Sequence, residues 1–208
     1  MGVKCIESEE QYTEIVLTRR SVAREQTNLA VELVLGQKHP VSANTLSWAA
    51  VEVLTGLGNA VGIETFHQSI EIGIKPDFLN DWYNALKDNY NFAKHADRDP
   101  HRIVENFRPE ATAWTVLAAC LNYGRIFAQR TWHMFVFQTW FHCRYPDATV
   151  REDYKLVQEM TPKLGNPRGR KFEESTDLAL AMLQNGLHYP EITQKLLGDS
   201  WNGLIEWH

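Results

Sequence analysis

The sequence predicts an all-α protein, a bundle of four main helices with a small helical C-terminal extension. Three observations carry this prediction. Apolar residues recur at three- and four-residue spacing through most of the chain. Gly36, Pro40 and Pro109 fall at the seams of those periodic segments. Strand-like alternation is confined to one short stretch, Ile70, Ile72 and Ile74. Residues 1–147 are expected to form the bundle core, and residues 148–208 an extension packed on the same domain.

The first helix is expected from about Glu9 to Leu35, where Tyr12, Ile15, Val22, Leu29 and Leu33 keep helical spacing. Gly36 then occupies a C-cap position and Pro40 blocks continuation. Ser42 is the expected cap of the second helix, whose apolar face runs through Leu46, Ala50, Val53, Leu54, Leu57 and Val61. Gly56, Gly58 and Gly62 would let a neighbouring element approach closely or loosen the end into a turn. Residues 63–77 read as a connector. Asp77 can cap the third helix, Phe78 to about His95.

The fourth helix is expected to run unbroken from Pro109 to Phe141. Its second half, Trp132 to Phe141, is apolar nearly all round, which fits burial on several sides or a partner chain on the extra face. A surface helix from Val150 to Met160 follows, then a basic Pro/Gly loop over 162–171. Two short helices are expected, Thr176 to Leu187 and Pro190 to Leu197. Trp201 and Trp207 suggest a docked tail.

The chain has 208 residues, 44% of them hydrophobic, enough for a sizeable core. Charged residues make up 23%, which argues against global disorder. The net charge of −5 means that any nucleic-acid contact needs a local basic patch. Three scattered cysteines (Cys5, Cys120 and Cys143) build neither a disulfide framework nor a zinc site. With no signal-like leader and no apolar run near ~18–20 residues, a cytoplasmic protein without membrane contact is expected.

The densest group of chemical side chains is Asn91 to Pro100, at the end of the third helix. At about 100° per residue, Asp81, Asn84, Asp88, Asn91 and His95 fall within roughly 40° of one line. Leu79, Trp82, Tyr83, Leu86, Tyr90 and Ala93 fall opposite. Such a polar stripe is most often a solvated face, and a histidine in the last turn suits the helix C-terminus. The alternative is a cleft or another polar surface facing the stripe, with Lys94, Asp97, Arg98, Asp99 and His101 around His95 in sequence. Asp88, Asp97, Asp99 and His101 would then contribute to binding.

Asn91 to Pro100 resembles a run in an uncharacterised bacterial family, where Asn-Phe-Phe-Lys-His-Ala-Asp-Arg-Asp-Pro ends a helix. Trp48 to Leu54, Ile74-Lys75-Pro76, Trp140-Phe141 and Tyr145-Pro146-Asp147 extend that likeness over roughly residues 40–147. More distantly, the chain is similar to HEPN domains, helical and often dimeric, many of them ribonucleases in toxin–antitoxin or phage-defence systems. Their motif is an arginine, a polar residue, a short spacer and a histidine. Asn91 and His95 match the polar residue and the histidine, while Tyr90 stands at the arginine position. The resemblance implies a homodimer and metal-independent RNA cleavage. His95 would be the acid or base, Asn91 would orient it, and Lys94 or Arg98 would supply the cation.

Two other readings compete. One is a non-enzymatic interaction or regulatory module with a protein partner. The other is a metal-dependent helical enzyme built on His95, Asp97, Asp99 and His101, a set whose alternate-residue spacing is no recognised ligand pattern. Only one Glu-x-x-His pair occurs, Glu64 with His67, where di-iron bundles use two. No cofactor and no resident metal are expected. His133, His142 and the aromatic residues between them read as core.

Overall fold

The computed structural model describes residues 16–71, 77, 79–95, 97, 100–105, 107–148, 154–191 and 204–206. The protein is all-α. Among the described residues there are eight α-helices and one two-residue parallel strand pair. The helices are α1 Arg19–Leu35, α2 Pro40–Val61, α3 Phe66–Glu71, α4 Leu79–Lys94, α5 Pro109–Phe127, α6 Trp132–Arg144, α7 Tyr154–Lys163 and α8 Phe172–His188. The strands are β1 Arg130–Thr131 and β2 Ile205–Glu206.

Helix α1 starts at a capping box. The Thr18 hydroxyl accepts from Ser21 N at 3.0 Å, and the Ser21 hydroxyl accepts from Thr18 N at 2.9 Å. Residues 16–18 precede it without helical structure, and 1–15 lie outside the described residues. Helix α2 begins earlier than expected. His39, with φ 45°, is the N-cap in place of Ser42, because Pro40 is already preset for the first turn. Gly58 has a specific role, since a Cβ there would meet Ile63 O at 2.7 Å and Thr65 Cγ2 at 3.0 Å. The bare helix surface lets the connection into α3 fold back against α2.

Two expectations need correction. Ile70, read as part of a strand-like stretch, lies in helix α3; Ile72 and Ile74 lie outside the described residues. The long fourth helix is two helices. Ala128 turns into the left-handed region at φ 54°, and Thr131 recaps the chain by accepting from Met134 N at 3.2 Å. Neither glycine nor proline marks this break. Arg130 N donates to Leu204 O at 2.8 Å, so a distant segment holds the turn.

Helices α1, α2, α5 and α6 form the centre, with α4 on the outer side of α2 and α7 and α8 against α6. Ten of the residues of α6 are buried, from Trp132 to Cys143. Its apolar surround is therefore covered within the chain, chiefly by α1, α5, α7 and α8. Trp132, Phe135, Phe137 and Trp140 are core residues. Each such side chain contributes about 1.5–3 kcal/mol through burial.

Helix α7 is described from Tyr154 and runs through Pro162, residues 150–153 of the expected span lying outside the described residues, and α8 starts a turn early at Phe172. In the basic loop, Arg168 pairs with Asp147 at 2.8 Å. Residues 192–203 and 207–208 lie outside the described residues, among them Trp201 and Trp207. The tail nevertheless docks through Ile205, which is buried, and through Glu206, which bonds Arg20 and accepts from Tyr123 at 3.1 Å. None of the helices among the described residues is long and apolar enough to cross a membrane.

Candidate functional site

Helix α4 carries two adjacent stripes. Lys87, Tyr90 and Lys94 share one, at helical spacing, and it turns toward α2. Lys87 Nζ donates to Glu52 Oε1 at 3.1 Å. The Tyr90 hydroxyl donates to Glu52 Oε2 at 3.1 Å and accepts from Lys94 Nζ at 3.3 Å. A single carboxylate on α2 thus receives a lysine and a tyrosine, and a second lysine backs the tyrosine. Burial raises the Tyr90 phenol, so it stays a neutral donor to Glu52.

This network borders a cavity of about 310 Å³ between α2, α3 and α4. Trp48, Glu52, Thr65, His67, Gln68 and Lys87 line it. Trp48 lies against His67 with ring centroids 5.3 Å apart, and Lys87 Nζ sits 5.4 Å from the Trp48 ring. Thr65 donates to Gln68 Oε1 at 2.8 Å, and Gln68 Nε2 donates to Asn59 Oδ1 at 2.8 Å. Two buried ring nitrogens, His67 Nδ1 and Trp48 Nε1, lack a partner among the described residues. The arrangement joins an aromatic floor, a neutral imidazole, two amide or hydroxyl groups and one ion pair. It suits a flat polar group more than a metal ion.

Burial, with Lys87 adding repulsion, lowers the His67 imidazole from 6.5 to about 4. The unfolded chain binds this proton more readily than the folded one. Stability from His67 is therefore complete above about pH 6.5 and declines as pH falls toward 4. That gap corresponds to roughly 3 kcal/mol. Urea titrations at pH 7.5 and pH 5 are expected to show a loss in the wild type that His67→Asn largely removes. Equal losses in both proteins would assign the acid sensitivity elsewhere.

The stripe singled out in the sequence lies on the neighbouring face of α4. Asn84 is exposed, while Asp88, Asn91 and His95 are half-buried. Asp88 is paired with Arg102 at 2.5 Å, a partner the sequence pattern did not suggest. His95 ends the helix, its N–H donating to Asn91 O at 2.9 Å. Among the described residues, no side-chain hydrogen bond joins Asn91 to His95. Asp97 and His101 are exposed. Arg98 and Asp99 lie outside the described residues, as do the side chains of Leu79, Asp81, Trp82, Tyr83 and Leu86. Ala93, expected on the core side, is exposed.

The structure therefore draws Lys94 into a group with Tyr90, Glu52 and Lys87, which sequence reasoning missed. Tyr90, marked only as a departure from a motif, is 4% exposed and anchors this group. The signal for Lys87 was its i, i+3, i+7 spacing with Tyr90 and Lys94. Nothing in the sequence pairs Glu52 with them. His67 drew notice only as half of a metal-type pair. Among the described residues, no three His, Cys, Asp or Glu side chains lie close enough to hold a metal ion.

No family model matches the chain, and neither a curated protein nor a solved structure matches it.

Proposed function

We propose that the protein binds single-stranded RNA along α4, seats one base in the α2–α3–α4 cavity, and cleaves the strand near His95 without a metal. The observation that carries this reading is the cavity itself, about 310 Å³ and floored by Trp48 and His67. That volume is at the lower end for small-molecule sites. Unstacked RNA bases are recognised by aromatic contacts and by hydrogen bonds to their edges. A base edge would supply the partner that His67 Nδ1 lacks. Lys87 and Lys94 give the acidic chain a local pair of cations beside it.

His95 is eight residues beyond Lys87, about 12 Å along the helix. A strand with its base in the cavity would reach His95 within a few nucleotides. There His95 would take the proton of a ribose 2′-hydroxyl as that oxygen attacks the adjacent phosphorus. The phosphorus–O5′ bond would break, leaving a cyclic phosphate and a 5′-hydroxyl that takes up a proton. Asn91, one turn back, would orient the imidazole or the phosphate. This is the role the HEPN resemblance implies, in a cytoplasmic and dimeric setting.

The test uses purified protein with labelled single-stranded RNA and DNA of equal length. RNA binding is expected, with cleavage reduced ~10²–10⁴-fold in His95→Ala and binding nearly unchanged. Lys87→Ala is expected to weaken binding and to reduce the salt slope by about 1. Binding without cleavage in the wild type would make the protein a non-enzymatic binding module. No binding of either nucleic acid would end the RNA reading.

A further inference from the structure

A second cavity, about 150 Å³, lies where four helix ends meet, away from α4. The first residues of three helices line it: Pro40 of α2, Pro109 of α5 and Phe172 of α8. Their N-caps are His39, Arg108 and Lys171, and none makes a side-chain cap hydrogen bond. By contrast, Thr18 on α1 and Thr131 on α6 cap through their side chains. Three positive helix ends, two of them with the cationic caps Arg108 and Lys171, repel one another unless negative charge sits among them. Glu110, Glu173 and Glu174 in the first turns offset part of this, and Glu173 and Lys38 both line the cavity.

At the fourth helix end, three of the closing carbonyls are already bonded. At the C-terminus of α1, Gly36 N, Gln37 N and Lys38 N donate to the Glu32, Val34 and Leu33 carbonyls at 2.8, 3.1 and 2.8 Å. The independent observation is Thr112. It lines the same cavity, is 0% exposed, and its hydroxyl has no partner among the described residues. A buried hydroxyl without a partner is costly. An anionic oxygen in the cavity would satisfy it.

The remaining wall is apolar, from Leu33, Val34, the two prolines and Phe172, except for Gln37, whose amide N–H group already donates to Glu173 O and to Thr176 Oγ1. A cavity of this volume lined by such side chains takes a molecule of about benzene size. We infer that this cavity binds a small carboxylate with a compact apolar body. The carboxylate faces the helix ends, Thr112 and Lys38, and the apolar body lies against Val34 and Phe172. This site stands independently of the RNA reading.

Calorimetric titration of the full chain with benzoate, benzyl alcohol and inorganic phosphate tests it. Benzoate is expected to bind one per chain, at least roughly tenfold tighter than benzyl alcohol, with phosphate silent. Thr112→Val, which keeps the side-chain shape, is expected to weaken benzoate roughly tenfold. Lys38→Ala weakens it less, and Val34→Phe fills the space and abolishes binding. Should Val34→Phe fail to fold, Thr112→Val and Lys38→Ala carry the test. Benzyl alcohol or phosphate binding as tightly as benzoate overturns the inference. So does an unchanged affinity in Thr112→Val, or no heat from benzoate at millimolar concentration.

Discussion

Trp140→Ala is expected to lower stability by roughly 3–5 kcal/mol. The side chain is fully buried, and its indole N–H donates to Ser175 O at 2.6 Å. It stands edge-on to Phe172 at 5.7 Å and packs on Phe137 at 5.4 Å. Truncation removes a large apolar surface, opens a cavity between α6 and α8, and takes the indole donor away from the buried Ser175 carbonyl. For a chain of this size each kcal/mol moves the melting temperature by about 2–4 °C. The melt followed by circular dichroism should therefore fall by roughly 6–20 °C. Trp140→Phe, which keeps most of the volume and loses the donor, should fall by less. Equal melting of wild type and Trp140→Ala would mean that α8 does not lean on α6 as described.

Gly186→Ala sets two effects against each other. Helix propensity alone predicts a gain of about 1 kcal/mol. Packing predicts the opposite. A Cβ at Gly186 would stand 2.1 Å from Trp132 Nε1 and 2.2 Å from Cε2. The Trp132 ring has little freedom to retreat, being 1% exposed, stacked on Phe135 at 5.4 Å and bonded to Leu183 O at 3.1 Å. Overpacking of this kind costs about 1–3 kcal/mol. Packing is expected to win, so denaturant unfolding should show a net loss. A more stable Gly186→Ala protein would refute the close approach of α8 to α6.

The helical class was legible because period, caps and breakers agreed. Pro40, Pro109 and Gly36 mark helix ends as their chemistry requires. The break between α5 and α6 was not legible, because Ala128 adopts the left-handed region without being glycine and the partner that holds the turn is Leu204. Such a contact is tertiary and leaves no local trace. Thr131 was the one available sign, a capping residue in mid-helix.

The candidate site divides in the same way. Helical geometry correctly separated Asn91 and His95 from Tyr90. It could not say that Glu52, on another helix, would gather Lys87 and Tyr90, nor that α3 would bring His67 to the same cavity. Spacing along one helix is readable; meetings between helices are decided by packing. Arg102 answering Asp88 from beyond the helix end is a further case.

The pairing of β1 with β2 has a kinetic consequence. Arg130 and Ile205 are partners across all of α6, α7 and α8. Closing so long a loop carries an entropy penalty that two residues of ladder cannot repay unless the intervening helices are already in place. The clasp therefore belongs late on the folding route, after the bundle has condensed. Its formation certifies that α6, α7 and α8 have arrived.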